Sequence, residues 1–159
     1  MPEIPELTGR LSDGIAELRA IAEWDIPEIL IAHQDDPQLS GRLGLDRPPT
    51  GAQLGSEVER AAAERLAGVR LALTIVEPGG EDCVGRVETR AIDWDASSAE
   101  LVGWVAPGHR GRGMTTHALE LAAAWLADAC GLQHVTVAAV SDGAGDDLPP
   151  GPGSRQLQR

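Results

Sequence analysis

The sequence predicts an α+β (α/β) domain in which a mixed, mainly antiparallel sheet carries flanking helices, and three features predict it. Apolar runs separated by turns follow one another over residues 69–76, 83–92 and 99–105. A glycine-rich turn, PGHRGRG, comes next and opens directly into a long stretch of helical period. A further apolar run at 132–140 follows that helix, and the handed crossover of such a strand–helix–strand unit makes its two strands parallel where they share a sheet.

The chain has 159 residues, enough for one domain with its own core. Aromatics make up only 3%, four Trp with no Phe or Tyr, so the core must be aliphatic. The formal net charge is −12, and every basic residue is arginine. Such a chain is a poor partner for nucleic acid, whose phosphates need basic patches. Cys83 and Cys130 lack metal-ligand spacing, so no metal is expected and free thiols in a reducing compartment are the simplest reading. No secretory leader is visible at the N-terminus and no apolar run reaches 18 residues, which points to a cytoplasmic protein with no membrane span.

In chain order, residues 1–12 read as a lead-in and GIAELRAI as a first strand. Trp24-Asp25-Ile26-Pro27 reads as a helix start, because Asp25 can cap and the N–H missing from Pro27 is harmless in a first turn. Ile26, Ile29, Leu30 and His33 share a face of that helix, and Asp36-Pro37 and the glycines and prolines of 41–51 interrupt it. Thr50 or Ser56 can start a second helix through Leu66, with Gly68 as its stop. The helix after the glycine turn carries Met114, Ala118, Leu119, Ala122, Trp125 and Leu126 at helical spacing, with Gly131 ready to end it. Trp104 and Trp125 are expected to form a core pair, and Trp94 to lie near an acceptor entrance. The domain therefore spans 1–140, and 141–159, dense in Gly, Pro and Asp, reads as an irregular tail.

Between strand and helix, the glycines let consecutive N–H groups converge, and the helix adds its positive end at the same spot. A pyrophosphate suits that geometry. Arg110 and Arg112 can add ionic contacts, and Thr115 and Thr116 hydroxyls. The Walker loop is excluded because the chain has no Lys. The dinucleotide fingerprint counted from Gly111 ends on Thr116 and falls too late in the chain.

The run GWVAPGHRGRGMTTHAL resembles the acetyl-CoA motif of the GNAT superfamily of N-acetyltransferases. Residues 11–140 look like the subgroup acetylating ribosomal-protein N-termini and small-molecule amines. Gly111 and Gly113 match the two small positions of the family's motif, and Gly108 stands where the family prefers Gln or Arg. The resemblance implies acetyl-CoA held by backbone amides of His109, Arg110, Gly111, Arg112 and Gly113, with Met114 and Thr115 in the adjoining helical turn. Its pantetheine arm would lie along the strand containing Val102, Trp104 and Val105. A backbone N–H near Val102 to Trp104 would polarise the thioester carbonyl.

The implied activity is acetyl transfer to a primary amine, on a protein N-terminus or a small molecule. Such chemistry needs the amine neutral, the carbonyl polarised and the two held together. Glu100, at the start of the strand feeding the loop, is the first candidate for general base, and Glu88 on the preceding strand the second. His109 suits phosphate contact better than proton transfer. His117 and His134 read as structural or exposed, and Cys130 as a helix-end core residue.

After residue 140 the family continues with a helix that often bears a catalytic tyrosine, and then two strands. None of these patterns is legible here. Without them residues 132–140 would form an exposed sheet edge that a second copy of the chain, a homodimer, could cover. The alternatives to an active enzyme are a catalytically inactive acyl-CoA-binding or interaction protein of the same fold, and a non-functional truncated fragment.

Overall fold

A computed structural model describes residues 3–140 and the backbone of 154–158. It shows a seven-stranded sheet whose strands lie in chain order. These are β1 (Leu11–Ser12), β2 (Glu17–Ala20), β3 (Ala72–Val76), β4 (Gly85–Asp93), β5 (Ser98–Val105), β6 (His134–Ala139) and β7 (Ser154–Gln158). Four helices flank it: α1 (Ile26–Asp35), the short α2 (Leu39–Arg42), α3 (Gly51–Leu66) and α4 (Met114–Cys130). All neighbouring strands are antiparallel except β5 and β6, which run parallel on either side of the α4 crossover. The mixed, mainly antiparallel sheet read from the sequence is the observed one.

The alternation along β5 divides the core into two faces. Ala99, Leu101 and Val105 pack with Ala118, Leu119, Ala122 and Leu126 of α4. Trp104, one residue out of phase, packs on the other face against Ile29, Leu39 and Leu54 from α1, α2 and α3. The expected Trp104–Trp125 pair is therefore not formed, because Trp125 packs against the α4 core on the opposite side. Trp94 instead anchors a turn, its indole N–H donating to the Gly68 carbonyl at 2.8 Å.

The helix signals are physical ones. The Thr50 side chain accepts from the Gln53 N–H at 3.1 Å and the Gln53 side chain accepts from the Thr50 N–H at 2.9 Å, a reciprocal cap that starts α3 at Gly51. Asp25 does not cap α1 with its side chain. Its carboxylate is fully buried and takes two guanidinium bonds from Arg19, at 2.6 and 3.0 Å, together with the Thr74 hydroxyl at 2.6 Å and the Ala22 N–H at 2.9 Å. It thereby ties the start of α1 to β2 and β3. Gly131, at φ 69°, ends α4 in the left-handed conformation.

Of the tail expected to be irregular, 141–153 lie outside the described residues, and 154–158 depart from the expectation. They form β7, which pairs antiparallel with β6 from Ser154↔Ala138 to Gln158↔His134. The edge that suggested a homodimer is thus covered by the chain itself.

Candidate active site

Three neighbouring features meet at the C-terminal end of β5: a glycine loop, a strand edge without a ladder partner among the described residues, and a cavity. After β5 the chain makes a single 3-10 turn, Pro107–His109, and reaches α4 through Gly111 and Gly113. Both glycines have positive φ, 82° and 78°. Gly113 is the N-cap of α4, so it brings no side-chain oxygen to the helix start where the helix dipole is positive. Met114 and Thr115 are both buried, and the Met114 side chain packs in the core beneath α4.

The two loop arginines do different things. Arg110 turns inward, its Nε donating to the Val105 carbonyl at 3.1 Å and its Nη2 to Asp36 Oδ2 at 2.8 Å. Arg112 stays more than half exposed, with Glu77 at 3.4 Å, and His109 approaches the same Glu77 oxygen at 3.0 Å. On α4, His117 Nδ1 lies 2.6 Å from Asp13 Oδ2, a link between the helix and the β1–β2 turn.

The strand edge follows from the ladder. The last parallel pair is Gly103↔Ala139, and the Gly103 carbonyl accepts from the Val140 N–H at 2.8 Å. Alternation then directs the backbone groups of Val102 and Trp104 at β4, and those of Val105 at the side where β6 has already ended. An extended ligand arm beside β5 would meet Val105 there.

The cavity opens on the other face, around Trp104. Its volume is about 670 Å³, and its walls include His33, Glu57, Arg86, Glu88 and Trp104. The His33 ring stands edge-on to Trp104, with centroids 5.7 Å apart and planes at 70°. Burial, and after it the Arg86 charge, hold His33 below the usual histidine range, against the pull of Asp36, so the ring is neutral at neutral pH. Its buried Nδ1 has no hydrogen-bond partner among the described residues. Glu88 is bonded to Arg70, and Arg86 Nη2 lies 3.3 Å from it. Arg70 also bonds Glu57 at 2.8 Å, so one guanidinium serves two of the wall's three carboxylates, Asp46 being the third.

Of the two carboxylates singled out in the sequence, Glu88 therefore lines the cavity. Glu100 stands on β5 opposite Ala91 and Thr136, 42% exposed, with Arg90 at 3.6 Å, and lies outside that lining. Cys83 is buried, and desolvation followed by the Asp25 charge pushes its thiol up to about 12, which keeps it protonated and inert as a nucleophile. Burial likewise raises Cys130. Sequence reasoning missed Arg86 as a wall residue and gave His33 only a helix face. The available signal was Arg86 and Glu88 at the two-residue spacing of a strand face in a mostly apolar run.

Residues 16–144 match the family model described as "Acetyltransferase (GNAT) domain". No match was found among the curated proteins. Among solved structures, the chain is similar to Mycobacterium smegmatis RimJ in complex with CoA-disulfide, at 20% identity and TM-score 0.68, over 86% of this chain and 69% of that one. It is also similar to the ribosomal-protein-S5-alanine acetyltransferase of Vibrio fischeri, at 11% identity and TM-score 0.70, over 87% and 78%. A third is the Salmonella typhimurium acetyl transferase that modifies the N-terminal serine of 50S ribosomal subunit protein L7/L12, at 16% identity and TM-score 0.66, over 81% and 74%. At these identities the likeness is one of fold. No helix among the described residues is long and apolar enough to cross a membrane.

Proposed function

The chain belongs to the GNAT acetyltransferase family, and on that premise we propose that it moves an acetyl group from acetyl-CoA to a primary amine seated in the cavity beside Trp104. The observation that carries this reading is the conjunction at the end of β5: a glycine loop at the start of α4, a strand edge with no ladder partner among the described residues beyond Gly103↔Ala139, and the cavity around Trp104. The residues present fit the coenzyme. The left-handed Gly111 and Gly113 let loop amides of His109 to Gly113 turn toward a pyrophosphate at a helix N-terminus. Of Val102, Trp104 and Val105 on β5, Val105 alone turns its backbone groups away from β4, and it is the residue that would meet the coenzyme's arm.

Acetyl-CoA supplies the acetyl group as a thioester. The Val105 N–H, on the open side of the strand, is the donor placed to polarise its carbonyl oxygen, one residue beyond the stretch that the sequence suggested. The amine arrives as an ammonium ion and must lose a proton before it can attack. Glu88 and Glu57 give the cavity wall negative charge that favours an ammonium group nearby. The neutral His33 ring is the group suited to take its proton, since Glu88 is already engaged by Arg70 and Arg86. Glu100 can act only from outside the cavity lining, through solvent.

A catalytically inactive acyl-CoA-binding protein of the same fold is the second reading, favoured by the complete lack of tyrosine as a proton donor to the leaving thiol. Calorimetry with acetyl-CoA, followed by thiol release across amines and N-terminal peptides, separates the two. Binding with release supports the enzyme, binding without release the inactive protein, and no binding at high micromolar coenzyme removes both.

A further inference from the structure

We infer that the cavity beside Trp104 selects acceptors carrying a carboxylate, and that Arg86 is the residue that holds it. This rests on the acetyl-transfer reading for the identity of the site, but its observations are separate. Arg86 sits on β4 directly opposite Trp104, and its side chain is 8% exposed. Among the described residues neither its Nε nor its Nη2 has a hydrogen-bond partner, although both are buried. Glu88 at 3.3 Å and Glu57 at 3.6 Å offset its charge without accepting hydrogen bonds from it. Both of those carboxylates are directed at Arg70, which bonds each of them.

A buried guanidinium with unfilled donors is costly by itself and well matched to a planar oxyanion. The rest of the wall agrees. Arg47 and Arg60 also line the cavity, so three arginines stand there beside three carboxylates, Asp46, Glu57 and Glu88, in a chain of net charge −12. The neighbouring Glu57 and Glu88 decide which oxyanion suits it. A singly charged carboxylate adds one negative charge beside them, whereas a phosphate dianion adds two and is repelled more strongly. The same two carboxylates suit an ammonium group. The wall therefore fits a molecule bearing both groups, and about 670 Å³ holds an amino acid or the first residues of a peptide. Free amino acids and peptides with an acidic residue after the N-terminal one share this chemistry.

The test uses the full chain and matched acceptor pairs: β-alanine against β-alaninamide, and Ala-Asp-Ala against Ala-Asn-Ala. The expected result is kcat/KM favouring the acid of at least one pair by roughly 10- to 100-fold, the range of a charged hydrogen bond. The pair that shows it tells the free amino acid from the peptide. In Arg86→Gln that ratio falls to within about threefold of unity, and Arg86→Lys, which keeps charge but not the planar fork, lies between. Acetyl-CoA affinity measured on each variant reports that it is folded. Saturation-transfer NMR with the same four compounds reads the preference without turnover, so the inference is decided even if acetyl transfer fails. Equal binding and equal rates for acid and amide, or a preference that survives Arg86→Gln, overturn it.

Discussion

Arg110 of the glycine loop donates to Asp36, the residue that ends α1, at 2.8 Å, and both side chains are about nine-tenths buried. Asp36 also accepts from Arg42 of α2 at 2.8 Å. One carboxylate thus fixes the loop to the helices that wall the cavity, while Arg110 Nε holds the last residue of β5. Asp36→Asn keeps the shape and removes the charge, leaving two guanidiniums with a weaker partner. It is expected to destabilise the fold by about 2 kcal/mol. By loosening the loop it should also weaken acetyl-CoA binding roughly tenfold. Denaturant titration and calorimetry on the same preparation check the two effects.

Acid should reach the fold in two stages. Folding holds His33 below its ordinary value of 6.5, chiefly through burial. Its contribution is therefore intact above 6.5 and is lost as pH falls from there toward the folded value. Burial raises Asp36 and Asp13, but Arg110 and Arg42 for the first, and the Ala16 N–H and His117 for the second, outweigh it and hold both below 3.8. Their share is present above 3.8 and lost below it. Denaturation midpoints measured from neutral pH downward should first decline below 6.5, and His33→Gln should remove that first decline while keeping the second. A midpoint flat from neutrality to about pH 4 in the unaltered chain would contradict the assignment of His33 as neutral and buried.

Gly85 lies so close to β5 that an added Cβ would stand 2.1 Å from the Trp104 carbonyl oxygen and 2.8 Å from the Val105 Cα. Backbone cannot yield as a flexible side chain does. Gly85→Ala should therefore push β4 and β5 apart where Trp104 forms the cavity wall and Val105 the open edge. The expected cost is about 3 kcal/mol or more, as for severe overpacking. Gly103→Ala meets side chains instead, Leu119 at 3.1 Å and Val87 at 3.2 Å, and should cost less. The order of the two melting temperatures is the measurement, and Gly103→Ala being the more damaging would refute the argument.

The fold was legible wherever one short-range rule decides an element. Helical period marked α4 and Gly131 its end, while the start of α3 stayed open between Thr50 and Ser56 until the Thr50–Gln53 cap decided it. The four-residue α2 was not legible, because Gly41 and the prolines after it dominate that stretch and Leu39 becomes core only through tertiary contact. Neither was β7, whose SRQLQ carries little apolar pattern and pairs along the edge of β6. The glycine loop could be read from its spacing, but the inward turn of Arg110 depends on Asp36, 74 positions earlier. The cavity was the least legible part. Its walls come from α1, α3, β4, β5 and the segment between α2 and α3, and no local pattern reports that they converge.

The glycine loop itself gives the most direct test of the coenzyme site. Gly111 and Gly113 sit at φ 82° and 78°, where an L side chain is strained by about 1 kcal/mol. A Cβ on Gly113 would meet the His117 ring, Cδ2 at 3.5 Å and Nε2 at 3.9 Å, ordinary contacts, so its cost is conformational rather than steric. Gly131 has a similar φ of 69° and open space around it, but lies at the far end of α4. Alanine at each of the three should thus lower stability by a similar amount. Acetyl-CoA affinity should fall about tenfold or more for Gly111→Ala and Gly113→Ala, because their amides must turn away, and stay within about twofold for Gly131→Ala. Equal affinity losses at all three positions would mean that the loss comes from general destabilisation, and the loop would no longer be the site.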